Sequence, residues 1–93
     1  AFVKPEHLKE GWTRDRIVSE LNARKVPCYQ GSCSEVYLEK AFDNTPWRPK
    51  ERLKNAVELG ETSLMFLVHP TLTDGEIAFC KEHIEAVLAE ATA

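Results

Sequence analysis

Gln30-Gly31-Ser32-Cys33-Ser34 gathers an amide, two hydroxyls and a thiol into five consecutive residues. Such a loop offers hydrogen-bonding groups to a polar or anionic ligand, and at a helix start its free backbone N–H groups would add to them. Cys33, in the first turn of that helix, would have part of what a nucleophilic thiolate needs. A nucleophile also requires a base. His7, His69 and His83 are the available histidines, and no spacing selects one of them. The plainer reading is that Ser32 caps the helix and Cys33 packs beneath it.

Cys28, Cys33, Cys80 and His83 are residue types of a zinc site. Cys80 and His83 fall one helical turn apart, but Cys28 and Cys33 are separated by five positions across Gly31, looser than a paired-cysteine knuckle. Cys80 also falls on the apolar stripe of the last helix, where a thiol serves as a small hydrophobe. His69, before Pro70, reads as a turn histidine satisfied by backbone. No glycine-rich phosphate loop, HExxH, GxSxG or paired CxxC occurs. The residues taken alone assign no catalytic group and no metal ligand.

Composition narrows the classes further. Ninety-three residues allow one domain with one modest core. A net charge of −3 gives no field to attract nucleic acid. The basic run Arg48, Lys50, Arg52, Lys54 is interleaved with Glu51 and Glu58 and reads as a solvated helix face. No apolar run approaches the roughly 20 residues of a membrane span, and AFVKPEH lacks a secretory pattern. Three cysteines without a disulfide framework suggest free thiols in a reducing cytoplasm. The chain opens on Ala1 and its one methionine is Met65, inside an apolar run, so a domain excised from a longer protein is expected.

The elements that must position these groups follow from pattern. Phe2-Val3 reads as the tail of a strand stopped by Pro5. Thr13 caps a first helix, with Trp12 and Ile17 as its staple and Ile17, Val18 and Leu21 as its apolar face. Val26–Gln30 is extended because Pro27 disfavours helix before it. Ser32 and Glu35 form a capping box for a second helix running to about Phe42. Asp43-Asn44-Thr45-Pro46 is a turn, Pro49 opens a third helix, and Gly60 caps its end. Ser63–Val68 is apolar after Ser63 and reads as a strand buried on both faces. A second capping box, Thr73 to Glu76, starts a last helix whose stripe is Ile77, Cys80, Ile84, Val87, Leu88 and Ala91. Trp12, Ile17, Phe66, Ile77 and Ile84 are expected in core or interdomain packing. The fold class is an α/β (α+β) sandwich with helices on a small antiparallel or mixed sheet.

Three stretches carry a resemblance. R-D-R-I-V-S-E-L-N-A-R-K-V-P at Arg14 to Pro27, G-S-C-S-E-V-Y-L-E-K-A-F at Gly31 to Phe42 and G-E-T-S-L-M-F-L-V-H-P-T-L-T at Gly60 to Thr73 resemble the small C-terminal domain of the DegT/DnrJ/StrS-type aminotransferases. These fold-type I enzymes use pyridoxal phosphate to aminate nucleotide-linked keto-sugars, typically with glutamate as donor. The resemblance implies that the Schiff-base lysine, the aspartate under the pyridine ring and most phosphate contacts belong to an N-terminal large domain of the same polypeptide. None of the seven lysines here sits in the family's serine-and-lysine motif. No cofactor contact is therefore assigned to this stretch, which would be inactive alone. Many members carry H-x-Q-x-x-Y in a loop that approaches substrate; the matching stretch here is S-C-S-E-V-Y, so only Tyr37 is retained. Gln30, Ser32, Cys33, Ser34 and Tyr37 are the expected substrate-binding residues, and the intact enzyme is expected to be a homodimer. The competing expectations are a non-enzymatic α/β regulatory or interaction module and, behind it, a cysteine or zinc enzyme.

Overall fold

A computed structural model describes residues 1–93. Three helices, α1 (Arg14–Ala23), α2 (Lys54–Thr62) and α3 (Asp74–Ala91), surround a two-stranded antiparallel sheet of β1 (Cys28–Tyr29) and β2 (Met65–Phe66). Cys28 pairs with Phe66 and Tyr29 with Met65. The N-terminal segment adds a partial third strand. Phe2 bridges Ser63, and Ala1 and Leu64 exchange backbone hydrogen bonds at 2.8 and 2.9 Å. The α/β class and its antiparallel option are thus realised.

α1 forms where capping and stripe agree. The Thr13 side chain accepts from the Arg16 N–H at 3.1 Å. Ile17 and Leu21 are fully buried, and Trp12 packs against the same core with the Arg16 guanidinium 4.3 Å over its ring. The helix ends with Lys25 at φ +66 and the Val26 N–H returning to Leu21 O, a Schellman arrangement that turns the chain into β1. Asn22 Nδ2 then donates to Cys28 O at 2.7 Å, fixing β1 against α1.

α3 packs on α1 through its C-terminal half. Val87 and Ala91 are buried with Ile17, Leu21, Val26, Cys28 and Leu64. Arg24 and Glu90 close the seam at 2.7 Å, and Lys9 Nζ reaches the last-turn carbonyls of Ala89 and Glu90, where a cation suits the helix dipole. At the other end, Thr73 and Glu76 satisfy each other's backbone N–H groups in a complete capping box.

Four expectations fail for identifiable reasons. Ser32 does not cap a helix to Phe42; the segment holds only 3-10 turns at Val36–Leu38 and Lys40–Phe42. The Glu35 carboxylate that would complete the capping box is taken instead by Arg52 and Tyr37. The third helix begins at Lys54 rather than Pro49, since the Leu53 N–H is bound to the Tyr37 hydroxyl at 2.9 Å. Gly60 lies inside α2, which runs on to Thr62. Finally, the Ser63–Val68 run is not a strand buried on both faces. Leu64 is buried, but Met65, Leu67 and Val68 are exposed, Val68 at 89%, because this chain supplies a covering layer on one side only.

Candidate functional site

The start of α1 is built around an electrostatic misfit. A cation in a first helical turn faces the positive end of the helix dipole, yet Arg14 occupies the first helical position. Its side chain is only 13% exposed. Arg14 Nη1 donates to the carbonyls of Ser63 (2.9 Å), Gly60 (3.0 Å) and Gln30 (3.3 Å), and Nε to the Asp15 carboxylate at 2.6 Å. One guanidinium therefore joins the end of α2 to the end of β1.

Gln30 is held at both ends. Its carbonyl accepts from the Ser63 hydroxyl at 2.6 Å as well as from Arg14, and its side-chain Nε2 donates to Asp15 Oδ1 at 3.1 Å. Gly31 follows at φ +88, and a Cβ there would lie 2.7 Å from Ser63 Oγ. Ser34 then presses on Gly60 so closely that a side chain at position 60 would collide with its hydroxyl. The two glycines permit this approach of loop to helix.

Ser32 and Ser34 line an open cleft of about 510 Å³, whose other walls include Gly31, Ala56, Leu59 and Met65. Its lining is mostly apolar, with serines at positions 32, 34 and 63. Gln30, Cys33 and Tyr37 do not line it. The exposed Cys33 thiol donates to Glu39 Oε1 at 3.6 Å. An anion beside the sulfur is the reverse of the electropositive setting of a reactive thiolate.

Tyr37 belongs to a separate latch. Its hydroxyl donates to Glu35 Oε1 at 2.8 Å and accepts from the Leu53 N–H. Arg52 grips Glu35 with two bonds of 2.8 and 2.6 Å. The Arg52 guanidinium, and after it the Tyr37 hydroxyl, holds the Glu35 carboxyl down to about 2. Burial, and after it the hydrogen bond to anionic Glu35, pushes the Tyr37 phenol up. Arg48 binds the carbonyls of Tyr37 and Glu39 and the carboxylate of Asp43, so the long loop is tied down by two arginines.

The remaining chemical candidates are accounted for by packing and turns. Cys28, Cys33 and Cys80 are unpaired, and burial pushes the Cys28 thiol up. No three His, Cys, Asp or Glu side chains converge with the geometry of a metal site. His69 Nδ1 accepts from the Thr71 N–H at 3.2 Å within its turn, and His83 stacks edge-on against Phe79 with ring centres 4.3 Å apart. The residues that sequence reading passed over are Arg14, Asp15 and Ser63. Arginine at a helix start was the available signal, since it needs acceptors beyond its own helix.

No protein-family model and no curated sequence matches the chain. Among solved structures, the X-ray structure of the aminotransferase from Psychrobacter cryohalolentis superposes with a TM-score of 0.90 at 57% identity over 96% of this chain. The chain is related to part of an aminotransferase. It spans 22% of that protein's length.

Pyridoxal phosphate is the cofactor that an aminotransferase relationship implies, and the residues of this chain do not fit a covalent attachment to it. A lysine that condenses with a carbonyl needs desolvation or a neighbouring cation to lower its pKa. All seven lysines are exposed, and none lines the Ser32–Ser34 cleft. No helix is long and apolar enough to cross a membrane.

Proposed function

We propose that residues 1–93 form the C-terminal small domain of a pyridoxal-phosphate-dependent aminotransferase of the DegT/DnrJ/StrS type, inactive when isolated. The observation that carries this reading is 57% identity across nearly the whole chain to an aminotransferase of which it spans 22%. The stretches at Arg14 to Pro27, Gly31 to Phe42 and Gly60 to Thr73 carry it from aminotransferase to this type. The parent enzyme acts on nucleotide-linked keto-sugars with an amino-acid donor, as a cytoplasmic homodimer.

The large domain of the same polypeptide holds the cofactor, which supplies the electron sink for moving an amino group between two substrates. What this chain contributes is position. Ser32 and Ser34 are polar members of the lining of a mostly apolar cleft, a surface suited to orienting a sugar ring by its own hydroxyls. Gln30 and Cys33 are the neighbours of these serines in the loop, and Tyr37 holds the chain beyond them through its latch with Glu35 and Leu53. Orientation of this kind supplies a large share of catalytic benefit without any bond being made or broken by the orienting groups.

The apolar surface supports incorporation into a larger body. Only eight of the 93 residues are buried, and Phe66, Leu67, Val68, Leu72, Ile77 and Ile84 line an open apolar groove of about 500 Å³. A surface of that character on a soluble protein marks a contact with other protein.

The test is amination of UDP- or dTDP-linked keto-sugars by the full-length protein with L-glutamate, followed as 2-oxoglutarate released. Ser32→Ala/Ser34→Ala should raise KM for the sugar nucleotide about tenfold with kcat changed by less than about threefold. An unchanged KM would remove these serines from the substrate cleft.

A further inference from the structure

We propose that Arg14, with Asp15, is a positioning residue that sets the substrate loop Gln30–Ser34 from outside the cleft. The inference rests on the functional reading above, and adds to it a residue that touches neither substrate nor cofactor. Arg14 does not line the cleft. Its Nη1 carries two hydrogens and faces three carbonyls, those of Gln30, Gly60 and Ser63.

Each of these carbonyls fixes one point of the loop. Gln30 is the first loop residue, and the Arg14-Asp15 pair binds it by main chain and side chain together. Ser63 carries the hydroxyl that binds Gln30 O and the Cβ that walls Gly31. Gly60 is the surface on which Ser34 rests. The loop amides from Gly31 to Ser34 make no backbone hydrogen bond of their own, so these contacts stand in for a ladder or helix. Ser32 and Ser34 are therefore aimed by a guanidinium at the start of α1.

Removing the guanidinium has a directional consequence. Arg14→Met keeps the aliphatic stem but takes this donor from the partly buried carbonyls of Gly60 and Ser63 and leaves Gln30 O with the Ser63 hydroxyl alone. The end of α2 and the end of β1 lose their bridge, and the loop gains freedom without losing any group that faces the cleft. Arg14→Lys restores the charge and a donor, but a compact ammonium reaches fewer of the carbonyls than the planar fork does.

The experiment uses the full-length protein with a nitroxide on Cys33, which is exposed and inside the loop. Other accessible cysteines are replaced by serine. Arg14→Met should sharpen the nitroxide spectrum, with the rotational correlation time falling by at least about twofold, and Arg14→Lys should lie between. With a UDP- or dTDP-linked keto-sugar, Arg14→Met should raise KM about tenfold while kcat changes by less than about threefold. Thr73→Ala, which removes the α3 cap far from the loop in sequence, controls for general loss of stability and should move neither readout. Unchanged nitroxide mobility in Arg14→Met, or an equal effect from Thr73→Ala, would overturn the proposal. A mobile nitroxide in a protein that never releases 2-oxoglutarate from glutamate would sustain Arg14 as the loop's anchor and refute the aminotransferase reading instead.

Discussion

Replacing Gly31 with alanine tests whether the loop is as tightly built as its contacts require. At φ +88 the backbone lies in a region where an L side chain costs about 1–2 kcal/mol. The new Cβ would stand 2.7 Å from Ser63 Oγ and 3.3 Å from Ser63 Cβ. Rotating the serine hydroxyl relieves the first contact but gives up its 2.6 Å bond to Gln30 O, worth about 1 kcal/mol. Stiffening of the unfolded chain offsets these by no more than about 1 kcal/mol. The net expectation is a loss of about 1–3 kcal/mol, measured by urea unfolding followed by tryptophan fluorescence. Removing the hydroxyl first should soften the blow. In Gly31→Ala/Ser63→Ala the closer contact is gone, so the two substitutions should couple by at least about 1 kcal/mol in a double-mutant cycle. A cost below about 0.5 kcal/mol, or strict additivity, would refute the reasoning, because either would mean that the loop does not rest on Ser63.

Two further outcomes follow from the latch and the caps. The Glu35 carboxyl is lowered from 4.5 to about 2 by Arg52 and Tyr37, so its contribution is complete above about pH 4.5 and is lost as pH falls toward 2. The stability gap between the wild type and Glu35→Gln should therefore be open at about pH 6 and narrow steadily below about pH 4.5; a gap that stays constant would contradict the latch. Thr73→Ala should cost about 1 kcal/mol through the lost cap of α3, whereas Ser32→Ala, which caps nothing, should cost less than about 0.5 kcal/mol in the same unfolding assay. Equal costs would show that Ser32 supports local structure after all.

What was legible in the sequence was decided locally. Thr13 before Ile17 and Leu21, and Thr73 with Glu76, announce α1 and α3 because cap, box and stripe all act within a few residues of one another. Pro27 likewise marks the extended segment that becomes β1. The Ser32–Glu35 box does not form although its letters are as good. Ser32 and Glu35 stand three apart, but Glu35 is claimed by Arg52, 17 residues on, and a charge-assisted pair of bonds outweighs a local cap. The Ser63–Val68 run failed for a different reason. An unbroken apolar run predicts cover on both faces, and this chain covers one, leaving Met65, Leu67 and Val68 exposed. The role of Arg14 is hard to read from sequence because its partners are three backbone carbonyls, and only its place at a helix start hints at them. Within the candidate site, the run from Gln30 to Ser34 was found by composition, but its shape comes from Ser63 and Gly60, on the far side of a long loop.

The most direct measurement is an absorption spectrum of the full-length protein with pyridoxal phosphate, taken before and after L-glutamate. The expected result is a visible band from the enzyme-bound cofactor that glutamate abolishes, while the 93-residue chain alone stays colourless under the same conditions. A full-length protein that binds no pyridoxal phosphate, or whose bound cofactor does not respond to any amino-acid donor, would contradict it.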